Sequence, residues 1–367
     1  MLKRLLLLGC VLSLLLSCKE DASYQVKMKL SNLDSQTIYA VFEASDKKCV
    51  DTLFYNSANE LTIKQTQEGF QTLTIIFANQ TQWITVHLEP QKKITITGDA
   101  ADPLSIQIKG GKINDKLSDF KKKIAPLLKE QAALLSPEMN NDPANEKGGD
   151  VSRLANINHE LRLEAESYIK QHPKEEASAI LIRDFFSDPD DPTQMDKLLA
   201  ELDPELSDFY IVKRLSIYNE RAKQTMVGAT IPAFNIQDIY GNSFSDKSFE
   251  NRYLIIAFTA LWCDMCHIEE LLLDKIVTEH PKDTLEVLLI SLDEHSEEVR
   301  EAIENDSIRW NIVTDAAGQA IEMFDLYNVG SLPKCFLIGK DGKIILKTEN
   351  GNELKRTLDE LINNSDQ

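Results

Sequence analysis

From Leu254 to Phe258 the chain carries only apolar side chains, and after Thr259 it reaches Trp262-Cys263-Asp264-Met265-Cys266. An unbroken apolar run of this length suits a strand buried on both faces, the kind found inside α/β sheets. Downstream, Met265 to His280 repeats apolar residues at Leu272, Leu273 and Ile276, a spacing that predicts an amphipathic helix. A buried strand, two cysteines separated by two residues and a helix together point to thiol chemistry, because the helix N-terminus faces the first sulfur and favours its thiolate.

Disulfide exchange needs one reachable, stabilised thiolate and a second thiol close enough to resolve the mixed disulfide. Two intervening residues in a first helical turn bring both sulfurs within bridging reach and expose only the first. Cys263 is therefore expected to attack and Cys266 to resolve. A free cysteine titrates near about 8.5, and a helix start lowers that by about one to several units. Asp264 opposes the shift, which favours a more stable disulfide and a stronger reductant. Glu269, three residues after Cys266 and on the face of Leu272, Leu273 and Ile276, is placed to relay the proton that Cys266 must lose. A first-turn acid that complements the helix dipole is the plainer reading, and Glu270 fits it equally well. Pro333 opens the strand Cys335 to Ile338; a cis bond there would free the backbone of Leu332 to pair with an extended substrate. Trp262 and Leu332 are the expected substrate contacts.

At 367 residues, 43% apolar and 27% charged, the chain has globular composition and room for several cores. The formal charge of -19 becomes -21 once the first 17 residues, with Lys3 and Arg4, are removed. Such an acidic chain repels nucleic acid and anionic lipid. Residues 1–17 read as a signal peptide, with a basic start and an apolar run from Leu5 to Leu16 too short to span a bilayer. Leu15-Leu16-Ser17-Cys18 resembles a bacterial lipobox, so Cys18 is expected to carry lipid and residues 18–23 to form a tether. Lipid is then the only membrane anchor. Lys19 in place of aspartate favours the outer membrane of a Gram-negative envelope, facing the periplasm, and Lys19-Glu20-Asp21 resembles a surface-export tag. Cys10 leaves with the signal, and Cys49 and Cys335 are expected as small buried hydrophobes.

Residues 24–110 alternate with period two, as in Tyr24, Val26, Met28 and Leu30, and predict a β-sandwich-like domain. His87 is expected on the solvent face of the strand Trp83 to Leu88, with no partner for a metal site. Residues 111–226 read as a helical connector, with helices over Leu117 to Leu128, Leu154 to Ile169, Glu175 to Phe186, Thr193 to Leu202 and Leu206 to Ala222, and a loop over Ser136 to Asp150. Residues 227–367 alternate strand and helix after a hairpin at Ile239 to Asn242, then end in a strand hairpin and a helix. The whole is a multidomain chain: all-β, helical connector, α/β thioredoxin order.

These last residues resemble the TlpA/ResA-like branch of the thioredoxin superfamily. The resemblance rests on Gly228, Pro232-Ala233-Phe234, Gly241, Trp262 to Cys266 with Glu269, Ser291-Leu292-Asp293, Leu332-Pro333, Phe336-Leu337-Ile338 and Asp341-Gly342. It implies membrane-anchored reduction of disulfides outside the cytoplasm, with disulfide-bonded client proteins, an upstream thiol donor, and neither cofactor nor metal. The layout with a β-rich first domain resembles lipoproteins common in Gram-negative gut-type bacteria. Asp264-Met265 replaces the usual Gly-Pro or Glu-Pro, Ala257 stands where cytosolic thioredoxins carry a buried aspartate, and Lys334 replaces the usual Thr. Rival readings are an envelope binding protein with incidental thiols, a c-type haem carrier through Cys263-x-x-Cys266-His267, and a peroxiredoxin, whose threonine is Ala260 here.

Overall fold

A computed structural model describes residues 24–365 apart from positions 45, 59, 66–68, 79–81, 136–148, 282 and 304–310. The signal, Cys18, the tether and most of the predicted loop after Ser136 therefore lie outside the described residues. No helix among those described is long and apolar enough to cross a membrane. The chain divides into two compact units. One holds residues up to Leu181 with Leu202–Tyr210, the other Ile182–Glu201 with Ile211–Gln367. The segment read as one helical connector is thus shared between the two.

The first unit is built on eight strands: β1 (Tyr24–Ser31), β2 (Gln36–Glu43), β3 (Lys48–Tyr55), β4 (Leu61–Gln65), β5 (Thr72–Phe77), β6 (Trp83–His87), β7 (Lys93–Asp99) and β8 (Asp102–Lys109). They form two sheets, β4-β1-β7-β8 and β3-β2-β5-β6. Alternation does what it predicts: Val26, Met28 and Leu30 of β1 meet Ile38, Phe42, Leu73 and Ile75 of the other sheet in one core. Helix α1 (Lys112–Leu134) and helix α2 (Gly149–Gln171) follow, with Phe120 edge-on to Tyr168.

His87 corrects the sequence reading, being 3% exposed rather than on the solvent side. The start of α1 covers that end of β6: Asn114 donates to the His87 carbonyl at 2.7 Å and accepts from its N–H at 3.0 Å. Alternation along one strand cannot reveal a cover supplied by a later helix. A second difference falls at Leu206 to Ala222. Asp203 caps a short 3-10 turn over Pro204–Asp208 by accepting from Glu205 N, and Phe209 is extended, so α5 begins only at Tyr210 (Tyr210–Gln224). Before it come α3 (Glu176–Phe186) and α4 (Thr193–Glu201).

The second unit has the thioredoxin order. The hairpin of β9 (Asn235–Gln237) and β10 (Ser243–Ser245) turns at Gly241, whose φ of 86° lies in the left-handed region that favours glycine. Asp238 braces the turn by accepting from Tyr240 N and Asn242 N. The central sheet runs β13-β12-β11-β14-β15, with β11 (Tyr253–Thr259), β12 (Leu285–Ser291), β13 (Asn311–Val313), β14 (Lys334–Ile338) and β15 (Ile344–Thr348). β11 pairs in parallel with β12 and antiparallel with β14, and all seven of its residues are buried. Leu254, Ile256 and Phe258 enter one core, Tyr253, Ile255 and Ala257 the other, which is why the strand reads as a continuous apolar run. Helices α6 (Asp264–Glu279), α7 (Ser296–Ile303), α8 (Gln319–Leu326) and α9 (Gly351–Ser365) complete the module. Leu273 and Ile276 of α6 pack with Leu354 and Leu358 of α9 in the second core.

Candidate active site

The parallel pair β11 and β12 ends at Thr259 and Ser291, and α6 starts five residues after the first of these. Cys263 is the N-cap of α6. Its Sγ accepts from Cys266 N at 3.2 Å, so a helix-start N–H points at this sulfur, an arrangement that favours negative charge there. Cys263 and Cys266 are joined in a disulfide, with an S–S distance of 2.06 Å and Cα atoms 5.3 Å apart. Cys263 is 8% exposed and Cys266 1%. The first sulfur is thus the more reachable, by a smaller margin than the spacing suggested.

Leu332 and Leu292 pack on the cluster of Ala260, Cys263 and Cys266. The Leu332–Pro333 peptide bond is cis, and the next residue, Lys334, pairs with Phe258 of the central strand. Trp262, next to Cys263 in the chain, is 70% exposed, and Met265 and Ile268 of α6 are exposed as well. Leu332 therefore meets the cysteines, with Trp262 and Pro333 as the chain neighbours of this cluster.

Glu269 lies where α6 meets α9. Its Oε2 accepts from Gly351 N, and a Cβ added at Gly351 would collide with that carboxylate. Its charge also reaches Cys335. Burial first, and Glu269 second, push that thiol up to about 12. Cys335 is buried, as expected, while Cys49 is half-buried against the sandwich core.

Three further side chains belong to the site in roles that the sequence reading did not assign to them. Asp293 accepts from Leu261 N at 2.8 Å and from Ser291 Oγ at 2.6 Å. Glu270 accepts from Thr259 Oγ1 at 2.7 Å and lies 3.2 Å from His267 Nδ1. His267 Nε2 lies 3.1 Å from the Leu261 carbonyl, and this carbonyl, then the Glu270 carboxylate, raise the imidazole above its ordinary pKa. The three-residue spacing of His267 and Glu270 was the sequence signal for their pairing.

The two strands after the cis bond, β14 and β15, are tied to the segment before α4. Lys347 is 4% exposed in its side chain and meets Asp190 at 2.8 Å and the Pro189 carbonyl at 2.9 Å. Lys334, at 11%, lies 3.5 Å from Asp190 and 3.8 Å from Glu349. Burial alone would raise the Asp190 carboxyl, but Lys347 and Lys334 outweigh it and hold the group below its ordinary range. Lys334, which departs from the usual threonine, thus has a structural partner. For metals, Glu279, His280 and Asp359 bring three ligand atoms within 4.8 Å among the described residues. Lys355 bonds both carboxylates of that group and offsets part of their charge.

Residues 227–347 match the AhpC/TSA family. The thiol-disulfide oxidoreductase ResA of Bacillus cereus is 25% identical over 145 residues, which is 40% of this chain and 82% of the relative. ResA of Geobacillus kaustophilus is 28% identical over 138 residues, 37% of this chain and 78% of the relative. Among solved structures, a thiol-disulfide oxidoreductase from Bacteroides fragilis is 31% identical, covering 36% of this chain and 98% of that one, with a TM-score of 0.33. Residues 227–347 thus form an AhpC/TSA thioredoxin-like domain that has ResA thiol-disulfide oxidoreductases among its homologues and carries its cysteine pair at a helix start, and a β-rich domain precedes it in this chain.

Proposed function

We propose that the chain reduces disulfides in extracytoplasmic proteins. Carrying this reading is the placement of Cys263 at the N-cap of α6, bonded to Cys266 and bordered by Leu332. In the reduced chain the Cys263 thiolate attacks one sulfur of a client disulfide, forming a mixed disulfide and releasing a client thiolate. Cys266 then loses its proton and attacks the Cys263 sulfur. The Cys263–Cys266 bond forms, the mixed disulfide breaks, and the second client sulfur leaves as a thiol. Two electrons pass to the client, and an external dithiol donor restores the reduced pair.

Trp262 and the backbone of Leu332 hold the client beside Cys263, and Pro333 keeps that edge in place. Glu269, one helical turn from Cys266, takes the proton of the resolving step. A lipid on Cys18 tethers the chain to the outer membrane, facing the periplasm; the apolar Leu5 to Leu16 run before Ser17-Cys18 supports this. The reading is tested by insulin or DTNB turnover with several reductants. Turnover by the wild type and its loss in Cys263→Ser are expected; thiol-independent behaviour of both would favour a binding role.

A further inference from the structure

Between β11 and α6 the chain takes a short step, Ala260-Leu261-Trp262, into Cys263. Leu261 is gripped on both sides. Its N–H donates to Asp293 Oδ2 at 2.8 Å, and its carbonyl lies 3.1 Å from His267 Nε2. The other ring nitrogen lies 3.2 Å from Glu270 Oε2, and Thr259 Oγ1 donates to the remaining oxygen of that carboxylate. A carbonyl oxygen and a carboxylate have no proton to give, so both ring nitrogens must donate if both bonds form. Neutral imidazole has one N–H and satisfies one partner. Imidazolium satisfies both.

We propose that His267 is a positioning residue for disulfide exchange: as imidazolium it ties Leu261 to Glu270, fixes the step into Cys263, and sets a positive charge beside the sulfur pair that favours the Cys263 thiolate. This rests on the reading of Cys263 as the attacking thiol. The charge offsets Asp264, the neighbouring carboxylate that disfavours the thiolate. The ionisable groups facing the ring are Glu270 and Asp264 on its own helix, with Asp293, after β12, on the far side of Leu261. All are acids, and Thr259 on β11 is neutral. Since the folded imidazole titrates above the ordinary 6.5, the clamp is complete below that pH and is lost as pH rises through the folded value. The reactivity of Cys263 then depends on two titrations, its own and that of His267.

The test uses the full chain with Cys266→Ala, reduced, and follows iodoacetamide alkylation of Cys263 by peptide mass spectrometry across neutral pH. Two inflections are expected. Adding His267→Gln should leave one, moved up by about one pH unit, with alkylation at neutral pH slowed about three- to ten-fold. His267→Lys keeps the charge and should restore the fast rate with a single inflection. One inflection in the His267 chain, or a Gln profile superimposed on it, overturns the proposal; a merely packing role would lower melting temperature in both variants and move neither inflection. Should the Gln chain fail to fold, NMR titration of His267 in the wild type decides. Coupling requires a higher midpoint in the reduced than in the oxidised protein, and equal midpoints overturn it. Two inflections without client turnover support the coupling and sink the reductase reading.

Discussion

The sandwich and the thioredoxin module both enclose polar groups, to different ends. In the sandwich, the Tyr55 hydroxyl donates to the Leu30 carbonyl and accepts from its N–H, and Asn114 joins both peptide groups of His87. These side chains stitch backbone to backbone and converge on no reactive atom. In the module, Asp293 with Ser291, and Glu270 with Thr259 and His267, gather where β11 and β12 end and α6 begins. At the carboxyl ends of parallel strands, peptide groups run out of ladder partners and a helix N-terminus opens, so polar side chains there hold a site. Location, more than residue type, separates scaffold from chemistry.

That contrast breaks first at Cys263. Cys263→Ser should lower thiol turnover by about 10³-fold or more while leaving the unfolding curve nearly in place. Next come paired core truncations. Ile256→Ala in β11 and Met28→Ala in β1 remove fully buried side chains and should each cost about 2–5 kcal/mol in denaturant melts. Only Ile256→Ala should shift the potential of the cysteine pair in glutathione equilibration; an equal shift from Met28→Ala would erase the distinction between the units. Asn114→Ala strips both His87 bonds and should cost about 1–3 kcal/mol, with turnover per folded molecule unchanged.

Asp190→Asn has the smallest expected effect. Lys347 is nearly buried but Asp190 is half exposed, so the loss should be about 1–2 kcal/mol. Its sign with pH follows from the depressed carboxyl: the contribution is present above the ordinary aspartate value of about 3.9 and disappears as pH falls through the lower folded one. Wild-type and variant melts should therefore converge in acid. Parallel curves down to the lowest pH would show that the lysines do not lean on this carboxylate.

Much of the module was legible because its cues are local. The all-apolar β11, the stripe on α6 and the glycine turn at Gly241 each follow from a few neighbouring residues. What escaped depends on distant partners. His87 is covered by a residue 27 positions later, Glu269 meets Gly351 across 82, and Lys334 meets Asp190 across 144. No periodicity encodes such pairs. His267 is the instructive case, since its partner Glu270 was within view. Its place after Cys266 suggested a haem ligand, while the step at Leu261 that it clamps becomes apparent only once β11 and α6 are joined in space.

The central claim, that Cys263 attacks and Cys266 resolves, is tested most directly by trapping. Reduced Cys266→Ala protein mixed with a disulfide-bonded client should accumulate a stable mixed disulfide, and peptide mass spectrometry should place it on Cys263. Cys335, whose thiol is pushed up to about 12 by burial and then by Glu269, should carry none. A trapped client on Cys49 or Cys335, or no trapped client when the matching Cys263→Ala chain behaves identically, would contradict the account.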